Sequence, residues 1–281
     1  MWESILQELN SGPLSIRLSI CRHCGFVGYR DFFSHEGMKK IYAAEARYED
    51  DGRKQKKEGN QEHARMMDFF RRQLSGAEIR SVVDVGAGDF QALEKVRSLY
   101  PQAQYEAIDP SYEEESYQGI SIHRTMLEDF SLQRSFDLVL LIHVLEHVGD
   151  TDSFLKKLAA LAKTNGYLYV EVPFQVGPGL WLNRSVSAHH INYFSPATLC
   201  RILRRYGFVV RASEFDKDAY SYNGMPGMIR VLAQRMPAES FSVDQAAWVG
   251  WRGVWENIYY LASPLIYISA VGMQRLRSLF R

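Results

Sequence analysis

The sequence predicts a doubly wound α/β domain on a mostly parallel sheet, and three observations carry that expectation. Between Arg80 and about Met236, short β-rich runs alternate with helix-patterned stretches. Several runs, such as FDLVLLI and YLYVEV, are apolar almost throughout, as strands covered by helices on both faces must be. The first run, SVVDVG, opens into two glycines separated by one alanine, a strand-to-helix turn in which a ligand can sit against the main chain.

Composition limits the functional classes. The chain has 281 residues, of which 46% are hydrophobic, enough for one α/β domain with additions. Its 33 basic residues balance 33 acidic ones, so no net field recruits nucleic acid. Three cysteines do not make a disulfide framework. Glu3 and Glu8 stand where an export signal would be basic then apolar, so the expected compartment is the cytoplasm.

The strands are read in order as SVVDVG, YEAID, FDLVLLI, YLYVEV, FVVRASEF and MIRVLAQ. The last two flank DKDAYSYNGMPG with no helix between them, which predicts an antiparallel hairpin at the sheet edge. SFLKKLAALAK reads as a helix ending at a tight Asn165-Gly166 turn. Ser195 before Pro196 reads as an N-cap with proline at the first helical position, so a helix is expected from about Pro196 to Tyr206, ending at Gly207.

Three segments follow: residues 1–78 as an N-terminal cap with a degenerate zinc-knuckle-like start, 79–236 as the core, and 237–281 as a helical tail. In the cap, IYAAEARY and HARMMDFFRRQL have helical spacing. In the tail, Trp248, Trp251 and Trp255 recur at helical spacing before a mostly apolar run broken by Pro264. Three placements suit residues 245–281: packing on the core or on a second copy in a homo-oligomer, lying peripherally in a membrane interface, or spanning it.

Ligands of open α/β sheets bind at the carboxyl edge, and four clusters of polar residues reach it here. Gly86 and Gly88 follow the first strand, and Asp109, before Pro110, ends the second, where an acid can accept a ribose's hydroxyls. FDLVLLI runs into His143, Glu146 and His147. SAHHINYFSPATL places His189, His190 and Tyr193 on a loop after the strand YLYVEVP, and histidine has the basicity for proton transfer near neutrality. No metal is expected at the paired histidines, because no third ligand stands near them in the sequence.

With these residues assembled, the chain resembles the class I S-adenosylmethionine-dependent methyltransferases, on VVDVGAGDF, YEAIDP, IHVLEHV and GYLYVEVP. The resemblance implies a seven-stranded sheet in the order 3-2-1-4-5-7-6, with strand 7 antiparallel, and S-adenosyl-L-methionine as cofactor. It implies that Asp84, Gly86, Ala87 and Gly88 hold the methionine part, Asp109 and Pro110 the ribose, Met126, Leu127 and Glu128 the adenine, and that His143 lies beside the cofactor. Phe90 stands where the family often has a third glycine.

CRHCGFV and HHINYFSPATL narrow the resemblance to the branch with nucleotide-sugar C-methyltransferases and surface-glycan methyltransferases. In those sugar enzymes the loop reads Tyr-His-Glu-His, where this chain has Ser187, Ala188, His189 and His190. The branch has two CxxC knuckles for zinc, where this chain has Cys21 and Cys24 only. The resemblance therefore implies methyl transfer to a sugar, nucleotide-sugar or glycan, with His190, His189 and Tyr193 as catalytic candidates. The alternatives are another small or lipid-like acceptor such as a quinone precursor, or a scaffold that binds the cofactor without turnover.

Overall fold

The computed structural model describes residues 18–21, 25–29, 59–131, 134–176, 190–220 and 226–237. Cys24, His189 and the tail at residues 238–281 lie outside them, and with them the zinc and membrane expectations. Among the described residues, no helix is long and apolar enough to cross a membrane.

Nine of the strands and helices set out the core. After α1 (Gly59–Gln73) come β3 (Ser81–Val85), α2 (Gln91–Leu99), β4 (Gln104–Ile108), β6 (Ile120–His123), β7 (Phe136–Ile142), α3 (Thr151–Leu161), β8 (Ala162–Pro173) and α4 (Pro196–Arg205). The hairpin β10 (Phe208–Tyr220) and β11 (Pro226–Arg235) completes it, and β5 (Ser116–Tyr117) adds a short edge strand. The sheet order is β10-β11-β8-β7-β3-β4-β6-β5. Without β5, this is the expected 3-2-1-4-5-7-6 order, and β11 is antiparallel to both neighbours.

The parallel strands are buried on both faces, as their unbroken apolar runs required. Val83, Val139 and Val170 face α3 and α4 in one core, while Val82, Leu138 and Tyr169 face α1 and α2 in the other. Helix α1 belongs to this second core: Phe70 meets the ring of Tyr169 edge-on at 4.7 Å, and Met66, Phe69 and Leu74 are buried beside it. Truncating such a buried ring costs about 3–5 kcal/mol, so α1 is a structural layer of the sheet.

Helix α4 starts as its sequence required. Ser195 accepts from Thr198 N at 3.2 Å and Thr198 Oγ1 accepts from Ser195 N at 2.8 Å, a reciprocal cap. Gly207 follows the helix at φ 83°, a conformation that favours glycine. The Asn165-Gly166 pair differs from expectation: α3 ends at Leu161, and the pair forms an irregularity inside β8. Asn165 takes φ 65°, and any Cβ at residue 166 would stand 2.9 Å from the Phe136 carbonyl.

A second, three-stranded sheet flanks the loop after β8. It joins β1 (Leu18–Ile20), β2 (Val27–Tyr29) and β9 (Asn192–Tyr193) in that order. Val27 pairs with Tyr193, so the N-terminal segment braces the loop that carries His190.

Candidate active site

The carboxyl ends of β3, β4, β7 and β8 converge on one edge, and the glycine turn after β3 forms its floor. Gly86 takes φ 75° and Gly88 φ 54°. A Cβ at Gly86 would lie 2.4 Å from Val144 Cγ2, while one at Gly88 would meet nothing within 4 Å. Gly86 is therefore required by packing against the turn after β7, and Gly88 leaves its side of the loop open to a ligand. Phe90 holds the left-handed conformation at φ 61° that the third glycine would supply, with its ring stacked on Tyr112 at 4.3 Å. Stacking of about 0.5–1.5 kcal/mol offsets a left-handed cost of about 1–2 kcal/mol.

Asp109, at the end of β4, is buried and ties this loop together. Its Oδ2 accepts from Gly88 N at 3.0 Å, and its Oδ1 accepts from Ser111 N at 2.8 Å and Ser111 Oγ at 2.5 Å. Asp84, in β3, is 1% exposed and its Oδ1 has no hydrogen-bond partner. Burial first, then the Asp109 and Asp89 carboxylates, push its carboxyl up to about 7. An orphaned buried carboxylate beside a glycine turn suits a cationic ligand group. Ala87 is buried and Pro110 exposed on either side of this pocket floor.

The segment after β6 lies next to Asp109, whose amide donates to His123 O at 3.0 Å. Leu127 from this segment packs into the core, Met126 is half-buried, and Lys157 Nζ donates to Glu128 O at 2.7 Å. Of the three residues expected around adenine, Leu127 is thus committed to the core by its side chain.

Opposite the glycine turn, the chain leaves β7 through His143, which takes φ 55°, and enters a short 3₁₀ turn, Leu145–His147. Glu146 is 1% exposed, and neither carboxylate oxygen makes a hydrogen bond. His143 Nδ1 stands 3.4 Å and His147 Nε2 3.8 Å from its Oε1. Burial would raise this carboxyl, but the facing imidazoles of His143, His147 and His190 outweigh it and hold it down at about 2. His143 Nε2 also lies 3.9 Å from Glu171 Oε1, so a second carboxylate flanks the same ring.

His190 reaches this group from the loop before β9. Its Nδ1 lies 2.7 Å from Gln175 Oε1, and its ring meets His147 edge-on at 4.7 Å. Two sets of bonds hold the loop there: Ile191 N donates to Glu146 O at 2.8 Å, and Asn192 Nδ2 donates to Leu145 O at 3.0 Å and Val148 O at 2.7 Å.

Tyr193 lies away from this group. It is 1% exposed within the small sheet, and its hydroxyl lies 3.2 Å from that of Tyr29. Strand alternation explains this: Asn192 faces the Glu146 turn, so its neighbour points into the small sheet's own core. In this arrangement its ring packs with Val27 and Val176.

Charged residues that the sequence reading passed over complete the edge. Arg230, in β11, is fully buried and donates from Nε to Glu171 Oε2 at 2.8 Å and from Nη1 to Asp216 Oδ2 at 2.9 Å. Tyr169 Oη donates to the same Glu171 oxygen, and Arg65 of α1 pairs with Asp216 at 2.7 Å. The signal was available: opposite charges inside two otherwise apolar strands, Glu171 in YLYVEV and Arg230 in MIRVLAQ, require each other's company.

A sheet in this order, with a glycine turn after the first strand and an acid at the end of the second, defines the Rossmann-like methyltransferase class. The chain belongs to the family described as a methyltransferase domain, which matches residues 56–213. A ubiquinone biosynthesis O-methyltransferase of Bradyrhizobium diazoefficiens is 34% identical over 98 residues, 32% of this chain and 38% of that protein. Its counterpart in Rhodopseudomonas palustris is 33% identical over 106 residues, 34% of this chain and 41% of the relative. The chain thus matches less than half the length of these curated relatives.

The fold is shared with solved structures. The 1,6-didemethyltoxoflavin-N1-methyltransferase of Burkholderia thailandensis superposes with a TM-score of 0.57 at 15% identity, covering 80% of this chain and all of that one.

Proposed function

We propose that this chain is an S-adenosyl-L-methionine-dependent methyltransferase that transfers the methyl group to a hydroxyl oxygen of a sugar, nucleotide-sugar or glycan. The observation that carries this reading is the Glu146 group with His147 and His190, a set of proton-handling side chains at the carboxyl edge, on the turn that packs against Gly86. A sulfonium methyl is already activated, so the protein must align the acceptor, exclude water and take up the acceptor's proton.

In this reading Asp84, Gly86, Ala87 and Gly88 receive the methionine end and Asp109 the ribose, with Met126 and Glu128 toward the adenine. His143 separates cofactor from acceptor. His190, oriented by Gln175, acts on the acceptor oxygen, and His189 belongs to the same loop. The segment HHINYFSPATL supports the sugar class. The matches to ubiquinone biosynthesis O-methyltransferases support a second reading, in which the hydroxyl belongs to a phenolic quinone precursor.

The test is transfer of isotopically labelled methyl from S-adenosyl-L-methionine to a panel of nucleotide-sugars, glycans and catechols. Label on a sugar hydroxyl establishes the first reading and label on a catechol the second. Label on carbon or nitrogen would overturn O-methylation.

A further inference from the structure

The sequence offered no third ligand beside the paired histidines, but the fold supplies two. Glu146, His147 and His190 each present one ligand atom, and these atoms all lie within 4.8 Å of one another. We propose that they bind a divalent transition-metal cation, of the zinc or manganese kind, and that this cation holds the acceptor oxygen. The proposal rests on the functional reading above in placing the acceptor here.

The strongest observation is the Glu146 carboxylate. It is 1% exposed and neither oxygen is hydrogen-bonded, and its nearest imidazole nitrogens, at 3.4 and 3.8 Å, stand beyond good hydrogen-bond length. The facing imidazoles offset the cost of burying this charge, and a cation bound between the carboxylate, His147 and His190 adds the direct oxygen contact that hydrogen bonding leaves unmade.

Donor chemistry agrees. One carboxylate and two imidazoles suit zinc, iron, cobalt or manganese, and a site with three protein ligands keeps a position for a substrate oxygen. Ligands of zinc lie about 2.0–2.2 Å from the metal, hence roughly 3–4 Å apart, so closing from 4.8 Å takes side-chain rotations of an ångström or so.

The supporting shell is also in place. Gln175 Oε1 faces His190 Nδ1 at 2.7 Å; an amide oxygen accepts, so Nδ1 carries the proton and the proposed ligating atom is Nε2. The Ile191 and Asn192 bonds to the Glu146 turn hold the two ligand-bearing segments in register, so the site is framed before a metal arrives.

In the proposed step the acceptor hydroxyl coordinates the cation and releases its proton to water. The resulting oxygen lone pair forms the bond to the methyl carbon as the carbon–sulfur bond breaks, and the sulfonium leaves as a neutral thioether. His190 thereby acts on the acceptor oxygen through the cation instead of taking its proton directly, and transfer becomes sensitive to chelation, which a purely protic His190 would not make it.

The experiment is calorimetric titration of the chelator-stripped full chain with Zn²⁺ and Mn²⁺, with Co²⁺ absorption as a geometric readout. A Cys21→Ser background separates this site from the N-terminal cysteines. S-adenosylhomocysteine binding, measured in parallel, reports folding and the cofactor site independently. One equivalent is expected, weakened about 10–100-fold or more in Glu146→Gln and in His190→Asn, with S-adenosylhomocysteine binding kept.

His147→Gln serves if Glu146→Gln does not fold. Wild type that binds S-adenosylhomocysteine but neither metal overturns the site and leaves the methyltransferase standing. Metal affinity unchanged in all three variants places the ion elsewhere and overturns it too. Methyl transfer at full rate after stripping overturns the acceptor-holding role.

Discussion

Asp109 Oδ2 accepts from the amide of Gly88 at 3.0 Å, so the residue expected to receive a ribose also closes the glycine loop from below. One carboxylate thus shapes the loop and waits at its mouth. Asp109→Ala removes a charged acceptor from three donors, each bond being worth about 1.5–3 kcal/mol. Calorimetry should show S-adenosylhomocysteine binding at least about 10-fold weaker, and an unchanged affinity would free Asp109 from the cofactor.

Gly86→Ala should be severe. The added Cβ strikes Val144 Cγ2, and φ 75° is itself unfavourable for alanine. A loss of about 1–3 kcal/mol in thermal or chemical denaturation is expected. Val144→Ala in the same chain should recover only part of it, because the second cost is in the backbone.

Arg230 and Glu171 should fail singly and recover together. Either Arg230→Met or Glu171→Met strands a buried partner, at about 3–5 kcal/mol. The double variant should regain much of that in denaturant unfolding. Additive losses would mean that Asp216 and Tyr169 have replaced the missing partner.

Asp84 predicts a pH dependence. Its carboxyl is pushed up to about 7 in the fold, so its contribution is full below the ordinary carboxylate range and is lost as pH rises toward about 7. Asp84→Asn abolishes this loss. The variant's melting temperature should gain on wild type between about pH 4 and about pH 7 and then run parallel to it.

Tyr193→Phe separates packing from catalysis. Removing the hydroxyl breaks its contact with Tyr29, at about 1 kcal/mol of stability. kcat should stay within about twofold of wild type, and a tenfold fall would return Tyr193 to the catalytic group.

Much of this molecule was legible in order along the chain. The apolar runs, the glycine turn, the Ser195-Pro196 cap and the closing hairpin are local or near-local signals, and each stands in the structure where periodicity and turn chemistry put it. Phe90 was legible only as a departure: that it keeps the glycine-like backbone by stacking on Tyr112 depends on a strand-to-strand distance that no local pattern carries.

The sheet, its alternation with helices and the acids and glycines at its carboxyl edge follow from the order of residues, because side-chain period and backbone freedom are properties of neighbouring residues. The folded chain as a whole chose the partners. It set Arg230 against Glu171, turned Tyr193 away into the small sheet, and brought His190 across to Glu146 and His147. Such contacts join segments far apart in the chain, and what selects them is the cost of leaving a buried charge or amide unsatisfied, a sum over the whole fold.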